Sequence, residues 1–419
     1  MAPSRKALII GAGVAGPAAA LLLRRAGIES EIYEAQATPD DYRGLFLNVA
    51  SNGLAVLHEL GLEAELAAAG FRCPWMVMWS GSGKRLAEVR NGAAEGQGPA
   101  SLVIKRSALH RILREAAERE AIPIYFGKRL IDVELDADRR VTARFDDGTQ
   151  AEGDLLLGCD GLHSRVRQII DPGAPAPVYT GLVSCGGFTR QVALPPTPDT
   201  QHFIFGRRAF FGYLVKPDGE IYWFNNLAYP GTPRRAELEA IPEAEWRERL
   251  LALHRDDQSV IRQIIRATEG AIGRYPIYDI PSLPRWRRGP LVLLGDAAHA
   301  TSPSAGQGAA LALEDALVLA KCLRDRPTTS AAFALYEQLR RERAERVVRL
   351  SRQIGNHKAT SNPIARWIRD LVLPVVLKRF NSPAQHGWLY AYREPWATPV
   401  AEPGRNATRP GSSSSSTIR

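Results

Sequence analysis

Cysteine is scarce in this 419-residue sequence: Cys73, Cys159, Cys185 and Cys322 are the four, with no CxxC spacing. That excludes a disulfide-stapled secreted scaffold and favours a reducing, cytoplasmic setting. The eight histidines form no metal-ligand cluster, so no metal is expected, and no GxSxG segment marks nucleophilic catalysis. Lysine is equally rare, with eight among 54 Lys+Arg, so the net charge of +9 is carried by arginine. The basic residues come in short pairs such as Arg24-Arg25, Arg207-Arg208 and Arg234-Arg235. The one longer run, Arg340 to Arg352, alternates with Glu342 and Glu345 and predicts a solvated helix face. Without zinc-finger spacing, an RNP-like motif or a basic tail, the chain does not look like a nucleic-acid binder. Long uninterrupted apolar runs are also missing. Ala7 to Leu23 is broken by Gly11, Gly13, Gly16 and Pro17, which argues against a signal peptide or an integral membrane span.

What is present begins with that same segment. Lys6 to Ile10 reads as a short buried strand, Gly16 to about Ala26 as a helix, and Ile28 to Glu34 as a second strand. Pro17 is tolerable because the first helical turn has no intrahelical N–H bonds to lose. Between strand and helix lies Gly11-Ala12-Gly13-Val14-Ala15-Gly16, the GxGxxG pattern. Its first glycine permits a tight turn, its second a close approach to pyrophosphate, its third close packing of helix on strand. Glu34, ending the next strand, suits a free ribose hydroxyl and would repel a 2′-phosphate, which points to FAD or NAD and away from NADP at this loop.

Two further segments have the same strand–turn–helix character. Asp154 to Gly158 runs into Cys159-Asp160-Gly161 and then Ser164-Arg165-Val166-Arg167. Leu291 to Leu294 runs into Gly295-Asp296, followed by His299, Pro303 and Gly306-Gln307-Gly308-Ala309-Ala310. Open α/β sheets bind ligands at such carboxyl ends of strands.

In these three ordered motifs the chain resembles the class A flavoprotein monooxygenases, the group of p-hydroxybenzoate and salicylate hydroxylases and tetracycline destructases. The match is Gly11/Gly13/Gly16, then Asp160/Gly161/Ser164/Arg167, then Gly295/Asp296/Pro303/Gly306/Gln307/Gly308, and it covers roughly residues 5 to 350. The resemblance implies an α/β fold in which a Rossmann-like FAD-binding domain is interleaved with a mixed β-sheet substrate domain and followed by C-terminal helices. It implies non-covalent FAD held by Gly11, Gly13, Ala15, Gly16, Glu34, Asp160, Asp296, Pro303, Gly306, Gln307, Gly308 and Ala309. Arg106 resembles the arginine that reaches the FAD phosphates, and Arg43 is a further candidate for the same cofactor. Arg165 and Arg167 are candidates for NADPH or NADH, a transient co-substrate. Cys159 stands where Ala is frequent, and Ala310 where many members have Asn.

By the same resemblance NAD(P)H reduces FAD, O2 is captured as a C4a-hydroperoxyflavin, and an aromatic or polycyclic small molecule is hydroxylated without a dedicated catalytic side chain. No second GxGxxG follows, which disfavours flavoenzymes with two dinucleotide domains. A halogenase, a prenyl-chain reductase or a non-catalytic FAD-binding partner protein are the alternatives. Pro74-Trp75-Met76-Val77-Met78-Trp79 does not match the WxWxIP of halogenases.

The expected FAD-binding unit is discontinuous (1–72, 100–180, 275–350). The substrate sheet occupies 73–99 and 181–274, a C-terminal helical segment 351–395, and a disordered tail 396–419. Hairpins are expected at Met76 to Val89 and across Pro217-Asp218-Gly219, with Phe211, Tyr213 and Trp223 as aromatic pocket candidates. Pro242 to Thr268 and Thr328 to Arg352 read as structural helices. Ile364 to Phe380, apolar and basic, is expected to pack back on the body.

Overall fold

The computed structural model describes residues 5–39, 45–96, 98–136, 140–356 and 383–400. Arg43, the Ile364–Phe380 segment and the tail from residue 401 onward lie outside the described residues.

The glycine motif folds as its residue types dictate. Strand Lys6–Ile10 is buried along Ala7, Leu8, Ile9 and Ile10, and helix Ala15–Arg25 follows the turn. Strand Lys6–Ile10 pairs in parallel with both Glu29–Glu34 and Leu155–Gly158. Six strands form this sheet, in the order Arg287–Arg288, Leu291–Leu293, Leu155–Gly158, Lys6–Ile10, Glu29–Glu34, Ile124–Phe126. Lys6–Ile10, Leu155–Gly158 and Leu291–Leu293 are near-continuous apolar runs, as strands of a sheet covered on both faces are. Part of the cover is the three-stranded sheet Leu130–Leu135, Val141–Phe145 and Gln150–Gly153, whose Phe145 stacks on Tyr33. One cover is the long helix Gly308–Asp325, packed against Ala15–Arg25 and Ser51–Glu59.

A second sheet of seven strands has the order Gly273–Asp279, Val178–Thr189, Ile221–Ala228, Ala209–Val215, Thr200–Phe205, Trp75–Ser80, Arg85–Arg90. Both expected hairpins are there: Trp75–Ser80 with Arg85–Arg90, and Ala209–Val215 with Ile221–Ala228. Segments of the two sheets alternate along the chain, so the α/β architecture with an interleaved mixed sheet is the one observed. A small sheet, Phe46–Val49, Leu102–Lys105 and Phe71–Arg72, lies beside them.

Two expectations change. The single helix Pro242 to Thr268 is two helices, Glu243–Leu253 and Ser259–Ala267. The break holds His254, fully buried, with its ring nitrogens on Asn225 (2.6 Å) and Asp257 (2.8 Å). The Arg340 to Arg352 run is not simply a solvated face. Arg340 is fully buried in helix Thr329–Asn356, and Arg352 pairs with the buried Asp279.

Candidate cofactor and substrate site

At the glycine turn, Gly11 has φ +106°, and an added Cβ would lie 2.4 Å from the Cys159 carbonyl oxygen. A Cβ at Gly16 would lie 2.0 Å from the Gly11 carbonyl oxygen, whereas one at Gly13 would meet nothing within 4 Å. Gly11 and Gly16 are therefore required by protein packing, and Gly13 borders open space of the kind a phosphate would fill. The Glu34 carboxylate accepts from the Ala12 N–H at 2.8 Å, which fixes it beside the turn.

Asp160 follows the neighbouring strand. Its carboxylate accepts from Ser164 Oγ (2.5 Å), Arg165 N (2.7 Å) and Val166 N (3.1 Å). Burial pushes its carboxyl up, against the pull of these donors. Both oxygens hold their own turn, and it is the Cys159–Asp160 backbone that abuts Gly11. Arg167 is 3% exposed and donates to Ala297 O (3.1 Å) and Leu162 O (2.7 Å), so its guanidinium ties the second motif to the third, while the residue also borders the surface cavity that Arg165 lines. Arg165 is exposed, with Nε on Ile131 O (2.8 Å), and it lines a surface cavity of about 740 Å3 with His163 and Arg288.

The third motif turns at Gly295 (φ +58°) and leaves Asp296 exposed while Ala297, Ala298 and His299 are buried. After Pro303 and Gly306 (φ +62°), helix Gly308–Asp325 starts with Gln307 as its N-cap. The first N–H groups of a helix have no acceptor within it and carry its positive dipole end, so Gly308 and Ala309 offer unhindered donors. Ala310 is fully buried.

Beneath this helix start lies an ionic network that no motif announced. Gln307 is fully buried, and Asn52 Nδ2 donates to its Oε1 at 3.0 Å and to Glu314 Oε1 at 2.6 Å. Glu314 also meets Arg343 and Arg340 at 2.7 Å. Asp315 accepts from Arg340 Nε (2.7 Å) and the Gly295 N–H (2.9 Å) and pairs with His299 Nε2 (2.5 Å). Burial would raise the Asp315 carboxyl, but His299 and Arg340 outweigh it and hold it at about 2. Two adjacent acids inside an otherwise apolar helix, Glu314-Asp315, were the signal available in the sequence. Gln307 Nε2 and Asn52 Oδ1 stay buried without a partner. Unused buried donors are rare, and one beside the Gly306–Gly308 segment fits an oxygen- and nitrogen-edged ring such as a flavin.

The pocket candidates lie on the face of the large sheet that packs on helices. Phe211 and Trp223 are fully buried, and with Tyr213 they pack in the cluster that joins the large sheet to helices Glu243–Leu253 and Ser259–Ala267. Trp223 Nε1 donates to Thr268 Oγ1 at 2.9 Å. Strand alternation sends their neighbours, Phe210, Tyr222 and Phe224, to the opposite face, towards Phe46. There Phe46, Asn48, Phe203 and Phe224 are partly exposed although interior, and Asn48 lies beside Gly306. Both faces of Ala209–Val215 are apolar, so alternation alone could not say which one meets the cofactor.

Arg106 opens helix Arg106–Arg119 with an exposed side chain. No group of three or more potential metal ligands occurs among the described residues, and no described helix is long and apolar enough to cross a membrane.

The FAD binding domain family profile matches residues 4–352. The aurachin C monooxygenase/isomerase of Stigmatella aurantiaca is 31% identical over 370 residues, covering 87% of this chain and 93% of the relative. The 6-hydroxynicotinate 3-monooxygenase of Bordetella bronchiseptica is 31% identical over 377 residues, covering 85% and 92%. The crystal structure of Klebsiella pneumoniae HpxO with FAD and uric acid superposes with a TM-score of 0.79 at 26% identity, covering 90% of this chain and 96% of that one. The relatives carry the hydroxylase reading and not the halogenase, reductase or non-catalytic alternatives. A family match over most of the chain and three motifs meeting at one sheet edge lead to one conclusion: the chain belongs to the FAD binding domain family, as a flavoprotein monooxygenase of the class A, aromatic-hydroxylase type.

Proposed function

We propose that this enzyme hydroxylates a planar aromatic small molecule, using FAD, O2 and NADH or NADPH. The observation that supports this reading best is the half-exposed set Phe46, Asn48, Phe203 and Phe224, with Asn48 beside Gly306 and, at the adjoining helix start, a buried Gln307 Nε2 donor that has no partner among the described residues. Bound FAD supplies the redox chemistry: reduced by the nicotinamide coenzyme, it activates O2, so that one oxygen atom enters the ring and the other leaves as water.

The chain's own residues position and exclude. Gly11, Gly13, Ala15 and Gly16 admit the pyrophosphate and Glu34 takes the ribose. Asp296 accepts from hydroxyls of the cofactor chain, and the exposed Arg106 offers a cation to its phosphates, with Arg43, outside the described residues, as a second candidate. The Gly308 and Ala309 N–H groups face the flavin edge that becomes anionic on reduction, at the positive end of an 18-residue helix. The aromatic wall excludes water and aligns the substrate ring. Arg165 and Arg167, which line one basic surface cavity with His163 and Arg288, are the candidates for the coenzyme. All four cysteines are buried and free, which supports a reducing compartment.

Purified protein is expected to be yellow or to take up added FAD. Aromatic-stimulated NAD(P)H oxidation should place label from 18O2 in the product. Label arriving from water instead would sink the reading. Asp296→Ala is expected to weaken FAD binding by at least about tenfold, the loss of one or two hydrogen bonds to a charged acceptor. Full flavin occupancy in that variant would remove the role given to Asp296.

A further inference from the structure

We propose that the substrate is an uncharged planar ring bearing a lactam or hydroxyl group, and that Asn48 and Gln201 select it. The inference rests on the reading that the substrate lies between the large sheet and the Pro303–Ala309 segment.

The polar groups beside Phe46 and Phe203 include a set of amides. Asn48 exchanges hydrogen bonds with Asn91 at 2.9 and 3.3 Å, and Gln201 Nε2 reaches Asn48 Oδ1 at 3.5 Å. Asn91 is fixed from behind by the Cys73 carbonyl (2.8 Å). Asn48 is only partly buried and sits where a Cβ on Gly306 would come within 3.6 Å of its Nδ2. An amide both donates and accepts, so this pair complements the adjacent N–H and C=O of a lactam, or a ring hydroxyl. Phe46, Phe203 and Phe224, packed edge to face, give the apolar wall that such a ring packs against.

Charge is what this face lacks. The inner positions of Thr200–Phe205, Ala209–Val215 and Ile221–Ala228 carry no charged side chain. Of the cations bordering the set, Lys105, opposite Phe46 in register, has its Nζ engaged by Glu220 at 2.7 Å, and Lys216, over the Tyr222 ring, meets Glu220 at 3.3 Å. A substrate carboxylate here would be desolvated against inner strand positions that carry no charge, and an unpaired buried charge is heavily penalised.

The test titrates FAD-loaded enzyme with matched rings and reads the perturbation of the flavin absorption band. The pairs are 2-pyridone against 6-hydroxynicotinate, and 4-hydroxyquinoline against 4-hydroxyquinoline-2-carboxylate. In at least one pair the neutral ring is expected to bind roughly a hundredfold more tightly than its carboxylate. Asn48→Leu should weaken the neutral ring about tenfold with FAD occupancy unchanged. Gln201→Lys should move the preference towards the carboxylate. Carboxylates binding as tightly as their neutral partners would overturn the proposal while leaving the site in place. Full FAD loading with no spectral response to any ring would overturn it together with the reading of the site beneath it.

Discussion

A methyl group added at Gly16 would sit 2.0 Å from the Gly11 carbonyl oxygen, while one added at Gly13 would touch no protein atom within 4 Å. The two positions therefore separate folding from binding. Gly16→Ala is expected to lower the melting temperature of the apoprotein by several degrees, since backbone must move to relieve the clash. Gly13→Val should leave the apoprotein's melting within about 2 °C of wild type and weaken FAD at least about tenfold, because it fills only the space a phosphate would take. Calorimetry and FAD titration of both variants check this. That both glycines matter was legible from GxGxxG; that they matter for different reasons required the facing Cys159 and Gly11 carbonyls. Arg167 teaches the converse. Its spacing from Asp160 marked it as important, but whether an arginine in a motif reaches outward or inward depends on Ala297, 130 residues away in sequence.

At the level of elements, the large sheet was readable as strands and hairpins, yet its sidedness was not. Ala209–Val215 is apolar on both faces because helices cover one and the aromatic wall occupies the other. Phe211→Ala should cost about 3–5 kcal/mol of stability as a cavity in a closed core, without a selective change in substrate affinity. Phe224→Ala, on the half-buried inner face, should cost less stability and act mainly on KM. Denaturant titration beside steady-state kinetics separates the two, and a selective substrate effect of Phe211→Ala would reverse the assignment of faces. Helix Thr329–Asn356 shows the same limitation for charge. Its Arg/Glu alternation reads as solvated, but Arg340 turns inward onto Glu314 and Asp315. Arg340→Leu removes the cation shared by two buried acids, leaving Glu314 to Arg343 and Asp315 to His299, and is expected to destabilise the protein by about 3–5 kcal/mol, measured by urea unfolding.

Across the whole molecule, Asp315 links the Gly295 turn, helix Gly308–Asp325 and helix Thr329–Asn356. Its carboxyl is held at about 2, below the ordinary 3.8, so the stabilisation it provides is complete above the ordinary value and lost as pH falls towards 2. The urea midpoint of wild type should fall steeply between about pH 4 and 2, and an Asp315→Asn variant, weaker throughout, should be flatter across that window. Equal slopes would show that other carboxylates dominate acid unfolding. The sequence by itself determined the dinucleotide loop, the order of the three motifs and the arginine-borne charge, because each is written in local spacing, glycine placement or composition, and the two-sheet architecture followed from the family resemblance that those motifs carry. Only the tertiary structure decided which face of the large sheet packs on helices and which looks towards Phe46, that Asp160 and Arg167 hydrogen-bond within the protein, and that Arg340 is buried beneath the start of helix Gly308–Asp325. Those properties depend on what a side chain meets after distant segments pack, and the local sequence pattern is the same for either outcome.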